Sequence, residues 1–137
     1  SAAARLRRNP QAGAEALVLA LPLLPDTIGL IGADELALLA PDAWLVNVAR
    51  GAHVDTEALV AALEGGRIGG AALDVTGPEP LPDGHPLWSL PNVVITPHTG
   101  NTKAMARPLL SARITDNVRR YVAGHELVGL VDVDLGY

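Results

Sequence analysis

Short runs of apolar residues alternate along this chain with segments in which apolar positions recur at helical spacing. Four continuous runs of mostly Ala, Val, Leu and Ile are typical of strands buried in a parallel sheet. They cover residues 16–21, 43–48, 71–75 and 93–95. Apolar residues recur at helical spacing over residues 33–39, 56–63 and 102–123. Residues 76–91 form a predicted loop that is rich in Pro, Gly and Asp. Because strand and helix alternate, the pattern predicts an α/β fold, with a parallel sheet and flanking helices.

Polar and turn-forming residues mark the ends of the predicted helices. Asp55 can accept a hydrogen bond from the first turn of the helix at 56–63, and Gly65 with Gly66 can end it. The last helix contains Pro108 near its start, which is unfavourable inside a helix. Its apolar stripe continues beyond this proline, at Leu109, Ile114, Val118 and Val122. The spacing therefore predicts one long helix over 102–123.

The amino-acid composition excludes several kinds of partner and binding site. The 137 residues are 49% hydrophobic but only 3% aromatic, with no Phe, which indicates an aliphatic core suited to strands covered by helices. A net charge of −5 without a basic stripe argues against a nucleic-acid partner. The lack of cysteine excludes disulfides and thiolate metal sites and fits a cytoplasmic protein. We expect no metal site.

No segment has the pattern expected of a membrane span or a targeting signal. The longest apolar stretch, residues 14–24, is interrupted by Glu15 and Pro22 and is too short to cross a bilayer. Arg5, Arg7 and Arg8 are not followed directly by an apolar signal core. The sequence therefore predicts no membrane partner.

Three polar motifs follow predicted strands. They are Asn47-Val48-Ala49-Arg50-Gly51, then Asp74-Val75 continuing to Pro78-Glu79-Pro80, then Thr96-Pro97-His98. The carboxyl ends of parallel strands meet at one edge of a sheet, so an arginine, a carboxylate and a histidine should share that edge. Arginine holds anions with a planar fork, histidine exchanges protons near neutral pH, and a glutamate can orient and charge it. This trio suits chemistry on a carbonyl next to a carboxylate.

In their residues and in their order along the chain, these motifs resemble those of the D-isomer-specific 2-hydroxyacid dehydrogenases, which reduce 2-oxo acids with a nicotinamide cofactor. The resemblance runs from about residue 17 to the end of the chain. It implies that Arg50 binds the substrate carboxylate and polarises the 2-oxo group, that His98 is the acid/base, and that Glu79 orients and charges this histidine. Related formate dehydrogenases pair their histidine with glutamine, so a glutamate at position 79 favours a hydroxyacid substrate.

The resemblance also implies a cofactor, NAD or NADP, at the same sheet edge. The backbone of Val48 and Ala49 would lie against the nicotinamide, and Asp74 beside its carboxamide. Small residues beside Arg50, among them Gly51, would leave room for close approach of a ligand. The remaining cofactor residues that the resemblance implies are Leu21, Pro22, Arg50, His98, Gly100 and Asn101.

Each of these positions also has an ordinary structural interpretation. A strand-end arginine is usually solvated, an aspartate often bonds nearby backbone amides, and Leu21-Pro22 can be a plain strand terminus. We expect the other histidines, His53, His85 and His125, to be structural, and Trp88 to pack under its loop or to edge the pocket. The arginines at 5, 7 and 8 could meet an NADP 2′-phosphate, but a solvated helix face is favoured.

The usual signature of pyrophosphate binding is missing. No strand is followed by G-x-G-x-x-G with an acidic residue roughly 20 positions later. The similar run at 65–70 lies between a helix and a strand, which indicates a turn. We therefore interpret residues 1–123 as an incomplete Rossmann-type doubly wound domain that lacks its Gly-rich first half. Residues 124–137 would be a tail returning to the substrate domain, and the chain a C-terminal part of a longer dehydrogenase, inactive by itself.

Two other functions stay open. One is a non-catalytic interaction module that keeps the sheet but has lost the cofactor. The other is a different Rossmann-type enzyme such as a methyltransferase, which the lack of a Gly-rich strand–helix turn disfavours. Under the leading hypothesis the partners are a small 2-oxo or 2-hydroxy acid and a second copy of the chain in a homodimer. The identity of the 2-oxo acid would be set largely by the substrate domain. The choice between NAD and NADP would be made at the second strand of the Gly-rich half, which is missing here.

Overall fold

The computed structural model describes residues 14–134 and residue 136. The arginines at 5, 7 and 8 lie outside the described residues. The chain divides into two compact units, Ser1–His98 and Thr99–Tyr137. The first unit contains the sheet, and the second contains one long helix.

The sheet of the first unit has four parallel strands in the order β1-β2-β3-β4, as the apolar runs predict. They are β1 Ala16–Leu19, β2 Trp44–Asn47, β3 Gly70–Leu73 and β4 Val93–Ile95. Their register aligns Leu17 with Leu45, Leu45 with Ala71, and Ala71 with Val93. All carboxyl ends therefore lie at one edge, where the three polar motifs begin.

The first three strands end before the apolar runs that predicted them. Ala20, Leu21, Val48, Asp74 and Val75 follow the last paired residues and belong to loops. An apolar run records which side chains avoid water, and a loop that packs or lines a cleft avoids water too. Val75, for example, is buried although it lies outside β3.

Among the described residues of this unit, two α-helices accompany the sheet, α1 Ala33–Leu36 and α2 Thr56–Glu64. Helix α1 is shorter than the predicted span 33–39, because the amides of Leu38 and Leu39 bond carbonyls three residues back, as in turns. Asp55 accepts a hydrogen bond from the amide of Ala58 at 3.1 Å, so the predicted cap of α2 is confirmed.

The hydrophobic core lies on one face of the sheet. Buried strand residues on this face join a cluster with side chains from and around α1 and α2. The core includes Leu19, Leu45, Ala71, Leu73, Leu36, Leu59, Leu63 and Ile68. On the opposite face Val18, Trp44 and Val94 are 57%, 38% and 53% exposed. The core thus anchors the strands from one side and holds their carboxyl ends in place.

Among its described residues, the second unit contains α3 Lys103–Val122, the residues from Thr99 that precede this helix, and the segment that follows. The hydroxyl of Thr102 accepts a hydrogen bond from the amide of Met105 and begins the helix, and Pro108 is accommodated inside it. One long helix is therefore confirmed, although its apolar stripe is exposed. The Asn117 side chain bonds both backbone groups of Val128, at 2.9 and 3.0 Å, and ties the following segment to α3.

The part of the chain that the structure describes has neither a membrane-spanning helix nor a metal-binding cluster. None of its helices combines the length and the apolar character needed to cross a membrane. Among the same residues there is also no group of three or more His, Cys, Asp or Glu that could hold a metal ion.

Candidate active site

Residues that follow β1 and β2 form a cleft of about 560 Å³ at the carboxyl edge of the sheet. Its lining contains five of the residues implied in cofactor binding, namely Leu21, Pro22, Val48, Ala49 and Arg50. The neighbouring residues Ala20 and Leu23 complete the lining. Two loops that are 27 residues apart in sequence at Leu21 and Val48 thus share one concave surface.

The turn that carries Arg50 is held by a buried amide. The side chain of Asn47, which is 1% exposed, donates from Nδ2 to the carbonyl of Arg50 at 2.9 Å. Its Oδ1 accepts from the amide of Ala49 at 3.0 Å. Arg50 is an exposed residue, and its guanidinium donates from Nη1 to the carbonyl of Ala49 at 2.6 Å. Arg50 is therefore a solvent-accessible cation on a well-held backbone.

Glu79 and His98 meet although they are 19 residues apart in sequence. Nδ1 of His98 lies 2.6 Å from Oε1 of Glu79, and the two side chains are 46% and 41% exposed. They line a second pocket of about 280 Å³ together with Asp74, Thr76 and Trp88. A histidine bonded through Nδ1 keeps Nε2 for another partner, which is the arrangement of an oriented acid/base.

The backbone of His98 has a φ of +55°. This is the left-handed region, which costs a residue with a Cβ roughly 1–2 kcal/mol. The amide of His98 donates to the carbonyl of Thr96 at 2.9 Å, so the turn that presents the ring is tight. Strained residues of this kind cluster at functional sites, and no local sequence pattern indicated this one.

Asp74 joins the ends of three strands. Its amide donates to the carbonyl of Asn47 at 3.0 Å, and its Oδ1 accepts from the hydroxyl of Thr96 at 2.5 Å. Sequence reasoning singled out Asp74 but gave no role to the side chains of Asn47 and Thr96. An Asn beside a strand end is a recognisable signal, because Asn side chains often bond the backbone two residues on.

Gly51 has a different role from the one expected. A Cβ at this position would overlap the carbonyl oxygen of Thr76, so the missing side chain makes room for this loop. The space that a side chain would fill is already taken by the loop that leads to Glu79. The hydroxyl of Thr56 also donates to the carbonyl of Gly77 at 2.5 Å. The turn that carries Arg50 is therefore packed against the loop that carries Glu79.

The other predicted cofactor residues, Gly100 and Asn101, lie in the second unit, between β4 and α3, and both are exposed. Trp88 is 53% exposed and edges the smaller pocket, which is one of the two expectations for it, and its Nε1 donates to the carbonyl of Pro82 in the same loop at 3.0 Å. Its indole N–H finds a partner at the surface, so burial is not required.

The remaining histidines differ in surroundings. His53 is fully buried, and its ring nitrogens lie 2.9 and 3.2 Å from the carbonyl oxygens of Thr27 and Leu21. His85 caps a 3₁₀ helix by accepting from the amide of Leu87 at 3.3 Å. The structural interpretation is confirmed for these two. His125 is exposed, and its amide donates to the carbonyl of Arg120.

Comparison with known proteins identifies the family. The family described as D-isomer specific 2-hydroxyacid dehydrogenase, NAD binding domain, matches residues 10–100. A glyoxylate/hydroxypyruvate reductase A of Serratia proteamaculans is 43% identical over 126 residues, which are 91% of this chain and 39% of that protein. The chain thus spans well under half the length of this relative.

Solved structures agree with this assignment. A D-isomer specific 2-hydroxyacid dehydrogenase of Xanthobacter autotrophicus Py2, in complex with NADPH and MES, has a TM-score of 0.81 and 44% identity over 90% of this chain and 39% of that one. An NADPH-dependent glyoxylate/hydroxypyruvate reductase of Sinorhizobium meliloti, in complex with NADP and sulfate, has a TM-score of 0.82 and 32% identity over 99% of this chain and 42% of that one. The expected fold and family are confirmed: this chain belongs to the D-isomer-specific 2-hydroxyacid dehydrogenases and contains sequence of their NAD-binding domain.

Proposed function

We propose that the longer protein containing this chain is an NAD(P)-dependent oxidoreductase that interconverts 2-oxo acids and D-2-hydroxy acids. The observation that carries the proposal is the 2.6 Å pair of His98 and Glu79 at the sheet edge that also presents Arg50. Because the chain spans 39% of the Serratia relative, activity is assigned to the longer protein and not to these residues by themselves.

Arg50 is proposed to bind the substrate carboxylate and to polarise the neighbouring 2-oxo group. Its guanidinium is exposed at the cleft, and the turn beneath it is held by hydrogen bonds. A planar fork can bond both oxygens of a carboxylate at once, which sets the position of the acid and its direction. Holding the acid in register can remove a large part of the barrier to reaction.

His98 is proposed to donate a proton to the substrate oxygen during reduction and to remove it during oxidation. Hydride arrival at the ketone carbon leaves negative charge on this oxygen, and an imidazolium both stabilises and protonates it. The carboxylate of Glu79, 2.6 Å from Nδ1, orients the ring and directs Nε2 away from itself. General acid catalysis of this kind contributes typically about 10²–10⁴-fold.

The cleft suits the nicotinamide end of a cofactor. Its walls combine the apolar side chains of Leu21 and Val48 with the backbone of Ala49, and its volume of about 560 Å³ can admit a flat ring. When bound, the reduced nicotinamide supplies the hydride. We assign Leu21, Pro22, Val48 and Ala49 to its contacts. Asp74 is assigned to its carboxamide, and Arg50, His98, Gly100 and Asn101 are the remaining proposed contacts.

We propose a small 2-oxo acid, such as glyoxylate or hydroxypyruvate, as the substrate. The support is the 43% identity to the Serratia glyoxylate/hydroxypyruvate reductase and the likeness to the Sinorhizobium reductase. Glutamate at position 79 also fits a reaction that needs proton transfer. A homodimer in the cytoplasm, without nucleic acid or membrane as a partner, completes the proposal.

The alternative, a non-catalytic interaction module, has less support. A protein that only presents a sheet needs neither a histidine in a left-handed backbone conformation nor a glutamate paired with it at 2.6 Å. The alternative predicts no oxidation of NADH or NADPH by the full-length protein with any 2-oxo acid. Absorbance at 340 nm with glyoxylate or hydroxypyruvate decides between the two.

We expect Arg50→Lys in the full-length protein to raise KM for the 2-oxo acid and to lower kcat, with an overall loss in kcat/KM of about 10²-fold. Lysine keeps the positive charge but cannot form two parallel bonds to a carboxylate. Steady-state assays at varied substrate concentration measure both constants. Arg67→Lys, on the segment before β3, is the matched control and should leave both constants unchanged. Equal kcat/KM in wild type and Arg50→Lys would contradict the assigned role.

We expect the 137-residue chain by itself to bind NADH only weakly, with a dissociation constant above about 1 mM. The cleft offers contacts to the nicotinamide, but the sequence has no Gly-rich strand–helix turn whose backbone amides could hold the pyrophosphate. Isothermal titration calorimetry measures the affinity, with the full-length protein as the positive control. A micromolar dissociation constant for the 137-residue chain would contradict this expectation.

A further inference from the structure

We propose that Asn47 is a positioning residue for Arg50, and through it for the carboxylate of the substrate. This inference rests on the proposed function, because it assigns to Asn47 the geometry of the group that binds the 2-oxo acid. Its basis is the pair of hydrogen bonds from one buried side chain to the turn that carries Arg50.

The backbone of Asn47 provides a firm base for these bonds. It is the last residue of β2, where it is aligned with Leu19 of β1 and Leu73 of β3. Its carbonyl accepts from the amide of Asp74 at 3.0 Å, and the next amide, of Val48, donates to the carbonyl of Leu19 at 3.2 Å. Asn47 is therefore fixed on both sides by neighbouring strands before its side chain reaches the turn.

The side chain then holds both ends of the following segment. Oδ1 accepts from the amide of Ala49 at 3.0 Å, and Nδ2 donates to the carbonyl of Arg50 at 2.9 Å. Asn47 is 1% exposed and its bond to Ala49 is buried, so water cannot easily replace that bond; the bond to Arg50 is partly buried. The two contacts fix the peptide planes around Arg50, and those planes set the direction in which its side chain leaves the backbone.

The side-chain amide of Asn47 supplies a donor and an acceptor on two separate atoms, which reach the carbonyl of Arg50 and the amide of Ala49 at once. Aspartate would keep the acceptor for Ala49 but would bring a carboxylate oxygen against the carbonyl of Arg50. Alanine would leave the amide of Ala49 and the carbonyl of Arg50 without these partners. Serine has a shorter side chain that can still accept from an amide two residues on. These differences allow a graded test.

The test measures the affinity of the full-length protein for oxamate, an unreactive analogue of a 2-oxo acid, together with KM, kcat and cofactor affinity. We expect Asn47→Ala to raise the Ki of oxamate and KM by about tenfold or more, with a smaller change in the dissociation constant of NADPH. Asn47→Ser should show an intermediate rise. Asn92→Ala is the matched control: its Nδ2 bonds the carbonyl of Gly69 at 3.3 Å beside the amino end of β3, and its constants should stay within twofold of wild type.

A double-mutant cycle separates positioning from a purely structural role. If Asn47 acts through Arg50, adding Asn47→Ala to Arg50→Ala should change the Ki of oxamate by less than twofold. A tenfold loss in both backgrounds, or no loss in either, would overturn the proposal. Circular dichroism establishes that each variant is folded. If neither Asn47 variant folds, the residue has a structural role and the proposal is likewise overturned.

The proposed function fails by a different result. Wild-type protein that neither binds oxamate nor reduces a 2-oxo acid would reject the function itself. If the wild-type protein is active and its activity depends on His98, but Asn47→Ala leaves the affinity for oxamate unchanged, only the positioning role of Asn47 is rejected.

Discussion

Replacing His98 by asparagine in the full-length protein is expected to lower turnover by about 10²–10⁴-fold, the usual contribution of a general acid. Asparagine tolerates left-handed backbone better than most residues, so the φ of +55° should be retained. Cofactor affinity should change far less, because the variant removes the proton donor and leaves the apolar cleft intact. Oxidation of NADPH at saturating 2-oxo acid measures turnover, and fluorescence titration measures cofactor affinity.

Two further variants make this result specific. Glu79→Gln keeps a hydrogen-bond acceptor for Nδ1 but removes the charge, so its turnover should fall between wild type and His98→Asn. His125→Asn changes an exposed histidine of the second unit and should have wild-type turnover. Retention of more than about a tenth of wild-type turnover by His98→Asn would contradict the assignment of His98 as the acid.

The second large effect is expected from Gly51→Ala, which should lower the free energy of unfolding by about 3 kcal/mol or more. The new Cβ would overlap the carbonyl oxygen of Thr76 and lie close to the amide nitrogen of Gly77. These are backbone atoms of a packed loop and cannot rotate away, so the turn of Arg50 and the loop of Glu79 would have to separate. Urea denaturation of the full-length protein, followed by circular dichroism, measures the loss.

Gly77→Ala is the matched control, because it adds a methyl group to the same contact from the other side. Its Cβ would lie 3.4 Å from Gly51 and from the hydroxyl of Thr56, which are ordinary contact distances. We expect a change in unfolding free energy below about 1 kcal/mol. Equal denaturation midpoints for the two variants would show that the close approach at Gly51 carries no energetic cost.

The fold class, and the sheet edge at which the candidate site residues lie, could be predicted from the sequence by itself. Apolar runs long enough for buried strands alternate along the chain with segments in which apolar residues recur at helical spacing. A parallel sheet covered by helices is the simplest fold that buries the apolar residues of both. In such a sheet the residues after each strand share one edge, which is why the strand pattern was enough to place Arg50 and His98 there. The motifs also identified the family, because their residues and their order along the chain are specific to it.

Tertiary structure decided which of these residues meet and how they are held. The bond between His98 and Glu79 joins residues 19 apart, and the contact of Gly51 with Thr76 joins residues 25 apart. The hydrogen bonds of Asn47 join residues only two and three positions apart, and like the left-handed conformation of His98 they depend on the path that the backbone takes after a strand. Periodicity reports only whether a side chain avoids water. It could not predict the contacts of His98 with Glu79 and of Gly51 with Thr76, because they depend on the approach of segments that are distant in sequence.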